Sequence, residues 1–526
     1  MMTAEGFLRL AAGYGDPDTI RALFEGQLSR HRLLVAEVIG GADAAQRRAA
    51  GVEAAIELLL ELDESHPDAV REVLGRPHIA AWASVCLRRR TDLGHLRAIA
   101  AAAASLAGVP HRIDAPAWRP QRRAALEPGY ALVIEDEDPY RDCYQWAPAP
   151  RLSDAEADAF AAKLEAAWRL LVTEHPEHAA AMRIGLRSVV PLRRPPGGGG
   201  ISAASRLAAG SVAVSIPETA QELALLLLHE FMHMKLGALL DIVDLCEEGS
   251  PERLHAPWRL DPRPPEAMLQ GIYAHLGVAD FWRMRRKVGG GRFAEIEFAY
   301  WREQTWQALR TLSGSERLTA NGRRFVEEMR STMLAWRDEP VDPAVADACF
   351  AMVAAQRARW RLVNYAPAQD EVERLAAAWR TGDAVPIAAT GALRPPGEAL
   401  PAGPTALVRS IRAALDGEPG PGDDPADAAL AAGDPARAAR GYLGRLDSGD
   451  SSDETWVGLV VAAELGGFAP GAPVCSDLYG ARMMPPQVFR DRPELVRAVV
   501  ERLRPASPAA LLRNADRAAE IVSPLR

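Results

Sequence analysis

One segment near the middle of the chain constrains the fold more than any other. Thr219 and Glu222 fit a helix capping box, and an apolar run from Leu223 to Leu228 follows them. The next five residues, 229–233, read HEFMH and form an HExxH motif. A capped and largely apolar helix belongs in a protein core, so we expect this one to pack against neighbouring elements and to carry the motif into a buried site.

The motif predicts metal binding because histidines four residues apart lie on one face of a helix. His229 and His233 can therefore bind one ion, and Glu230 lies one position further round, where it can hold a metal-bound water or act on it. The chain has eleven histidines, and the last is His275. A third histidine ligand downstream of the motif can therefore be only His255 or His275.

The composition is ordinary for a soluble globular protein. The chain has 526 residues, enough for two to four domains, and 48% of them are hydrophobic while 25% are charged. The net charge of −9 gives no general attraction to nucleic acid or to an anionic membrane, so neither is expected as a partner. The N-terminus lacks a secretory signal, and we expect no apolar run close to the ~20 residues of a membrane span. The five cysteines are far apart and odd in number, which predicts reduced thiols in a cytoplasmic protein.

The patterns along the chain predict a predominantly helical α+β fold in three consecutive regions. Residues 1–110 are predicted to form a helical N-terminal region, 111–340 a metal-binding catalytic domain, and 341–526 a helical C-terminal region. In the N-terminal region, four histidines are interpreted as surface or capping residues rather than ligands: His31, His66, His78 and His95.

Strand patterns in the catalytic region predict a small sheet packed on the HExxH helix. The strands are expected at residues 130–134, 182–192 and 211–216. An acidic cluster, residues 135–138, follows the first strand and is interpreted as a solvated turn. A helix from Glu266 to Arg286 is predicted to carry His275 beside the motif helix.

The HExxH motif most often belongs to a zinc peptidase, in which Zn²⁺ is held by the two histidines and a third ligand while the glutamate activates water. The extended metzincin motif HExxHxxGxxH is absent, because the glycine after His233 falls one place late and no third histidine occurs in that turn. A glutamate on a later helix could supply the third ligand, with Glu266, Glu295 and Glu297 as candidates. A zinc peptidase with Glu230 as general base, and a non-enzymatic helical scaffold with an incidental motif, are therefore alternative functions.

Three sequence blocks resemble a known family. Residues 230–243 read EFMHMKLGALLDIV, residues 256–264 read APWRLDPRP, and residues 271–282 read GIYAHLGVADFW. Together they are similar to the bacterial HExxH-type peptide-modification proteins, which are associated with ribosomally synthesised, modified peptides and are regarded as 2-oxoglutarate-dependent peptide β-hydroxylases. The resemblance spans residues 202–306 and is specific in these three blocks.

The resemblance implies an iron(II) centre with three protein ligands and open positions for 2-oxoglutarate and O2. His229 and His233 would be the first two ligands and His275 the third. Three histidines depart from the two-histidine, one-carboxylate set that is usual in such iron enzymes, so a glutamate in place of His275 stays an alternative. The substrate would be a ribosomally synthesised precursor peptide, hydroxylated at a β-carbon.

The same resemblance implies further roles for charged residues near these blocks. The far carboxylate of 2-oxoglutarate needs a cationic partner, for which arginine is best suited, and Arg263 and Arg259 are the candidates. Lys235, two residues past His233, is expected to point away from the metal. Glu230 would accept a hydrogen bond beside the metal or orient the substrate, rather than act as a general base.

Overall fold

The computed structural model describes residues 2–89, 92–115, 121–194, 200–381, 387, 391–395, 403–417, 424–466 and 490–503. Helices make up 65% of the protein, with 20 helices among the described residues and a small mixed sheet of five strands. This composition confirms the predicted, predominantly helical α+β fold. The end of the predicted C-terminal region lies outside the described residues, as does Cys475.

The chain divides into two compact units that alternate along the sequence. The first comprises Met1–Gly249, Leu269–Val288 and Glu316–Met333, and the second comprises Ser250–Met268, Gly289–Ser315 and Leu334–Arg526. This division differs from the three consecutive regions predicted from the sequence, since the N-terminal helices and the HExxH helix share one unit.

The helices are numbered in chain order. Those wholly or mostly in the first unit are α1 Ala4–Ala11, α2 Pro17–Gly41, α3 Ala44–Ala50, α4 Glu53–Ser65, α5 Pro67–Leu74, α6 Ile79–Arg89, α7 His95–Ala107, α8 Asp154–Glu174, α9 Pro176–Gly185, α10 Ala220–Leu240, α11 Pro265–Lys287 and α13 Ala320–Arg337. Those of the second unit are α12 Gly291–Ser313, α14 Pro343–Asn364, α15 Gln369–Thr381, α16 Ala406–Asp416, α17 Pro425–Ala431, α18 Pro435–Asp447, α19 Asp453–Glu464 and α20 Pro493–Leu503.

The second unit is built around one apolar core, to which helices α12 and α14 to α20 contribute. Trp456 and Tyr442 are among its largest fully buried side chains. A two-stranded antiparallel ribbon, β6 Tyr365–Ala366 and β7 Ala392–Leu393, completes this unit.

The five-stranded sheet lies in the first unit. Its strands are β1 Arg122–Glu127, β2 Tyr130–Ile134, β3 Ser188–Leu192, β4 Ser202–Ala204 and β5 Ser211–Ser215. They lie in the order β1-β2-β3-β5-β4, in which β2, β3 and β5 are parallel and the two edge strands, β1 and β4, are antiparallel to their neighbours. The predicted strands at 130–134 and 211–216 are confirmed.

The predicted strand at 182–192 is too long, because Met182 to Gly185 are the last turn of α9 and the strand begins only at Ser188. An apolar run of this length fits either a buried helix end or a buried strand, and its pattern does not separate the two. Strands β1 and β4 were not predicted from the sequence. Short edge strands of this kind carry little periodicity, and β4 has only three residues.

Helix α10 carries the HExxH motif through the core of the first unit. The Thr219 side chain accepts a hydrogen bond from the Glu222 backbone amide, which confirms Thr219 as the N-terminal cap. The helix packs on the sheet through β4 and β5 and on helices α2, α8 and α9. The ring of Phe231 stacks on that of Phe24 in α2. These contacts explain why the N-terminal helices belong to the same unit as the motif.

Helix α10 also corrects one expectation from the sequence. It has 21 residues, and one 18-residue window has a mean hydropathy of 1.5, so by length and composition it could cross a membrane. Length and composition do not distinguish such a span from a buried core helix. Because 72% of the window is buried inside the protein, the helix has the environment of a core helix, and the structure is compatible with a soluble protein.

Two of the N-terminal histidines are buried, not on the surface as predicted. His31 is 2% exposed, and its Nδ1 lies 2.9 Å from the carbonyl oxygen of Leu74. His78 is also 2% exposed, whereas His66 is exposed on the surface. Burial lowers the pKa of His31 to about 4, because a charged imidazole loses its hydration in the core.

We expect acid to destabilise the protein through His31. Its pKa is about 4 in the folded protein and about 6.5 when exposed, so between these values the unfolded chain binds more protons and stability falls as pH falls. This difference corresponds to about 3 kcal/mol of unfolding free energy. Urea unfolding between about pH 7 and pH 4 should show a flatter pH dependence for His31→Gln than for the unmodified protein. The matched change at the exposed His66 should leave the pH dependence unchanged, and equal slopes for the unmodified protein and His31→Gln would contradict the expectation.

Candidate metal centre

Helices α10 and α11 bring three histidines together within the first unit. His229 and His233 lie one turn apart on α10, and the centres of their rings are 4.9 Å apart. His275, from α11, has its ring centre 5.1 Å from that of His229. We call these three residues the HExxH centre.

Hydrogen bonds orient two of the three imidazoles. The Nδ1 of His275 lies 2.8 Å from the carbonyl oxygen of Gly271, one turn earlier on α11. The Nδ1 of His233 lies 3.2 Å from Oε1 of Gln270, also on α11. An oxygen acceptor at Nδ1 places the proton there, so the Nε2 atom carries the lone pair with which an imidazole binds a metal. One helix therefore supplies one histidine and orients another.

The electrostatic environment keeps two of these imidazoles, those of His229 and His275, neutral. Burial lowers the pKa of His229 well below its ordinary value, and the neighbouring His233 and His275 lower it further. Burial also lowers the pKa of His275 to about 3, against a smaller opposing effect of its hydrogen bond to Gly271. A neutral imidazole is the form that binds metal, so His229 and His275 are ready for a cation at neutral pH.

The distances are not yet those of a closed metal site. Among the described residues, one group of three side chains outside the HExxH centre has ligand atoms that all lie within 4.8 Å of one another. The ligand atoms of the HExxH centre are further apart than this. Bonds of about 2.0–2.1 Å from one ion would bring three nitrogen atoms closer together than this. Small rotations of the imidazole side chains are therefore required for all three to bind one ion. With that adjustment, the number and kind of donors fit a divalent transition metal.

Glu230 is buried beside the three histidines and is held by the edge strand β4. The hydroxyl of Ser202 donates a hydrogen bond of 2.6 Å to Oε1 of Glu230, and the same oxygen lies 3.9 Å from Nε2 of His229. Burial raises the pKa of Glu230, while His233 and the hydrogen bonds from Ser202 and the Ala204 backbone lower it. The carboxylate can thus anchor strand β4 to helix α10 and reach a ligand bound near His229.

Lys235 points away from the histidines, as the sequence predicts. Its ammonium group is fully buried and donates hydrogen bonds of 2.6 Å to the carbonyl oxygens of Gly13 and Tyr14. The Tyr273 hydroxyl donates a similar bond of 2.7 Å to the carbonyl oxygen of Leu10. These contacts fix helix α10 to the segment that follows α1, and helix α11 to the last turn of α1.

The two arginines suggested for 2-oxoglutarate belong to the second unit, where both bind one carboxylate. Nε of Arg259 lies 2.7 Å from Oδ1 of Asp261, and an Arg263 guanidinium nitrogen lies 3.0 Å from Oδ2 of the same residue. Backbone hydrogen bonds between Leu254 and Arg263 hold this loop closed. The loop is ordered, as its prolines predict, and each arginine already has a partner.

The other candidates for a third ligand also lie in the second unit. Glu297 is buried, forms an ion pair with Arg412 and accepts a hydrogen bond from Nε1 of Trp301. Glu295 accepts a hydrogen bond from the Asp342 backbone amide, Glu266 is exposed, and His255 stacks against Trp360 with ring centres 4.5 Å apart. His275 lies in the same unit as the motif histidines, and its ring centre is 5.1 Å from that of His229.

A glycine allows α11 to approach α10 closely enough to bring His275 to the motif. A Cβ atom at Gly277 would lie 2.7 Å from Cγ of Met232, closer than side chains in proteins come to one another. The sequence did not predict these roles of Gly277, Ser202 and Gln270. The role of Gly277 could have been suspected because it is a glycine inside a predicted helix that carries a candidate ligand.

We expect Gly277→Val to destabilise the protein and to weaken metal binding. The added side chain must displace Met232, at a cost of about 1–3 kcal/mol for overpacking, and it moves His275 away from His229. Gly26→Val is the matched control, because nothing lies within 4 Å of a Cβ atom there, so it should change the stability by less than about 0.5 kcal/mol. Urea unfolding together with metal titration checks both changes. Metal affinity unchanged in Gly277→Val would contradict the packing argument.

Comparisons with known proteins do not extend the sequence resemblance. No protein-family model matches the chain, and no curated protein matches it significantly.

Proposed function

We propose that the protein is an iron(II)- and 2-oxoglutarate-dependent hydroxylase that acts on the β-carbon of a residue in a ribosomally synthesised precursor peptide. The observation that carries this proposal is the position of His275. It comes from the third block of the family resemblance, and its ring lies 5.1 Å from that of His229 in the motif of the first block. Two separate blocks of the resemblance thus contribute to one candidate centre.

The chain would hold iron(II) through His229, His233 and His275. Bound iron would supply the activation of O2, with 2-oxoglutarate giving up two electrons as it is converted to succinate and CO2. Because all three ligands are neutral imidazoles, they leave the double positive charge of the metal uncompensated. Such a centre favours a dianionic co-substrate and retains positions for it and for O2.

Glu230 would help to position the peptide substrate. Its carboxylate holds Ser202 of strand β4 against α10 and lies beside His229. β4 is an edge strand, and an edge strand offers backbone groups to an extended peptide. The residue that becomes hydroxylated would then belong to a precursor peptide held along this edge. The protein would be cytoplasmic and would meet the precursor peptide before that peptide is exported.

A zinc peptidase is the second candidate, and one observation favours it. The Glu230 carboxylate is buried beside His229, where burial raises its pKa, as suits a general base acting on metal-bound water. Three histidines are also a known zinc ligand set. The hydrogen bonds that Glu230 accepts from strand β4 instead favour a positioning role for this residue, so we place hydroxylation first.

The decisive experiment incubates the full-length protein with a precursor peptide encoded beside its gene. With iron(II), 2-oxoglutarate and O2, we expect succinate release and a peptide heavier by one oxygen atom, and neither when O2 or 2-oxoglutarate is omitted. His275→Ala should lose both products, and His66→Ala should retain them. Cleavage of the peptide in the presence of zinc alone would contradict the hydroxylase and support a zinc peptidase. Unchanged metal content in His229→Ala and His233→Ala would instead favour a non-enzymatic helical scaffold.

A further inference from the structure

A second group of metal-binding side chains lies in the first unit, at a place where the sequence predicted no chemistry. It consists of His78, just before α6, and of Glu135 and Asp138, just after β2. One ligand atom from each of the three lies within 4.8 Å of the other two. The acidic segment is not the solvated turn that the sequence suggested, since Glu135 is only 9% exposed.

Hydrogen bonds hold this group in place and leave ligand atoms for a cation. Oε1 of Glu135 accepts hydrogen bonds from the backbone amides of Glu137 and Asp138, at 3.1 and 2.8 Å, while Oε2 bonds to no described residue. Nε2 of His78 lies 3.0 Å from the hydroxyl of Tyr144, and its Nδ1 bonds to no described residue. A metal-binding histidine commonly has its second nitrogen held in this way.

The charges of this group call for a cation. His78 and Glu135 are buried and Asp138 is partly exposed, so two carboxylates and one imidazole lie close together with little access to solvent. The nearby Arg141 donates to the backbone carbonyl of Asp138 and not to its carboxylate. Arg76 and Arg141 lie near enough to act on Asp138 electrostatically, but no described residue forms a salt bridge with Glu135 or Asp138. Carboxylates with so little access to solvent are normally paired or bound to a metal.

The group opens on a cavity of about 290 Å³ in the first unit. His78, Glu135 and Asp138 all line it, so an ion bound by them would have coordination positions directed into the cavity. Three protein ligands with an open position are typical of a reactive metal site, whereas structural zinc sites have four. The cavity also gives an ion access to the group.

We propose that His78, Glu135 and Asp138 form a second metal site, which binds a divalent transition-metal ion through one nitrogen and two carboxylate oxygens. One imidazole with two carboxylates suits Zn²⁺, Mn²⁺ or Fe²⁺. The site shares no residue with the HExxH centre. It stands whether or not the protein is a hydroxylase.

Counting zinc in the full-length protein tests the proposal. After removal of metal by chelation and reloading with Zn²⁺, we expect about two tightly bound ions per chain in the unmodified protein and about one in His229→Ala/His233→Ala. The double variant leaves the second group intact, so no zinc in it would overturn the proposal. Glu135→Gln/Asp138→Asn should lose one ion and keep the other, and the unmodified zinc count in this variant would also overturn the proposal.

Two single changes separate a metal site from a structural cluster. Glu137→Gln is the matched control, because Glu137 is an exposed neighbour of the group, and it should keep the full zinc count. Tyr144→Phe removes only the hydroxyl that holds His78, so it should weaken zinc binding at this site by about 10- to 100-fold. A Tyr144→Phe variant that binds zinc as tightly as the unmodified protein would contradict the proposed role of His78.

Discussion

His229→Ala and His233→Ala should each remove the metal ion of the HExxH centre and abolish hydroxylation of the peptide. Metal binding by a site of this kind contributes about 10 kcal/mol or more, so the loss of one of three ligands should weaken binding by roughly 1000-fold. The two rings lie together on one face of α10, and the loss of either leaves two donors. Metal analysis and succinate release, measured on the same preparations, check the expectation.

His66→Ala is the control for both substitutions, because His66 is exposed and lies on neither helix of the centre. It should retain metal and activity. If either motif variant kept full metal content and full activity, the histidines would not be ligands. The motif would then be an incidental feature of a core helix.

Lys235→Met should strongly destabilise the protein. Lys235 is completely buried, and its ammonium group is a hydrogen-bond donor to the carbonyl oxygens of Gly13 and Tyr14. Methionine fills much of the same volume but leaves both oxygens without this donor, at a cost of about 1–3 kcal/mol for each buried group. We therefore expect a loss of about 3 kcal/mol in the free energy of unfolding, measured by urea titration.

Lys287→Met makes the same chemical change at an exposed position and should alter stability by less than about 0.5 kcal/mol. The comparison separates the lost hydrogen bonds from any general effect of removing a lysine. Equal stabilities of Lys235→Met and Lys287→Met would show that the N-terminal segment is not fixed to α10 through this side chain.

The HExxH motif could be predicted as a metal-binding site from the sequence because the residues that identify it lie close together in the chain. The capping residue Thr219, the apolar run and the four-residue spacing of His229 and His233 all lie within one helix. His275 could be added because few histidines follow the motif and because one of them lies in a block that resembles a known family. Its proximity to His229 needed the structure, since it depends on the contact between Gly277 and Met232.

The second group could not be predicted, because its members are brought together by tertiary structure. His78 precedes α6 and Glu135 follows β2, and no spacing rule connects positions so far apart. A short acidic run is usually a solvated turn, and only the burial of Glu135 shows that this one is different. The two interleaved units were missed for the same reason, since contacts between distant segments define them.

The proposed function depends on one metal ion bound by three imidazoles from α10 and α11. A crystal structure of the iron(II)-loaded protein, with diffraction recorded on both sides of the iron absorption edge, measures this directly. We predict an anomalous peak at bonding distance, about 2.1 Å, from Nε2 of His229, His233 and His275. A peak bound by the motif histidines but not by His275, or no peak between the three rings, would contradict the account.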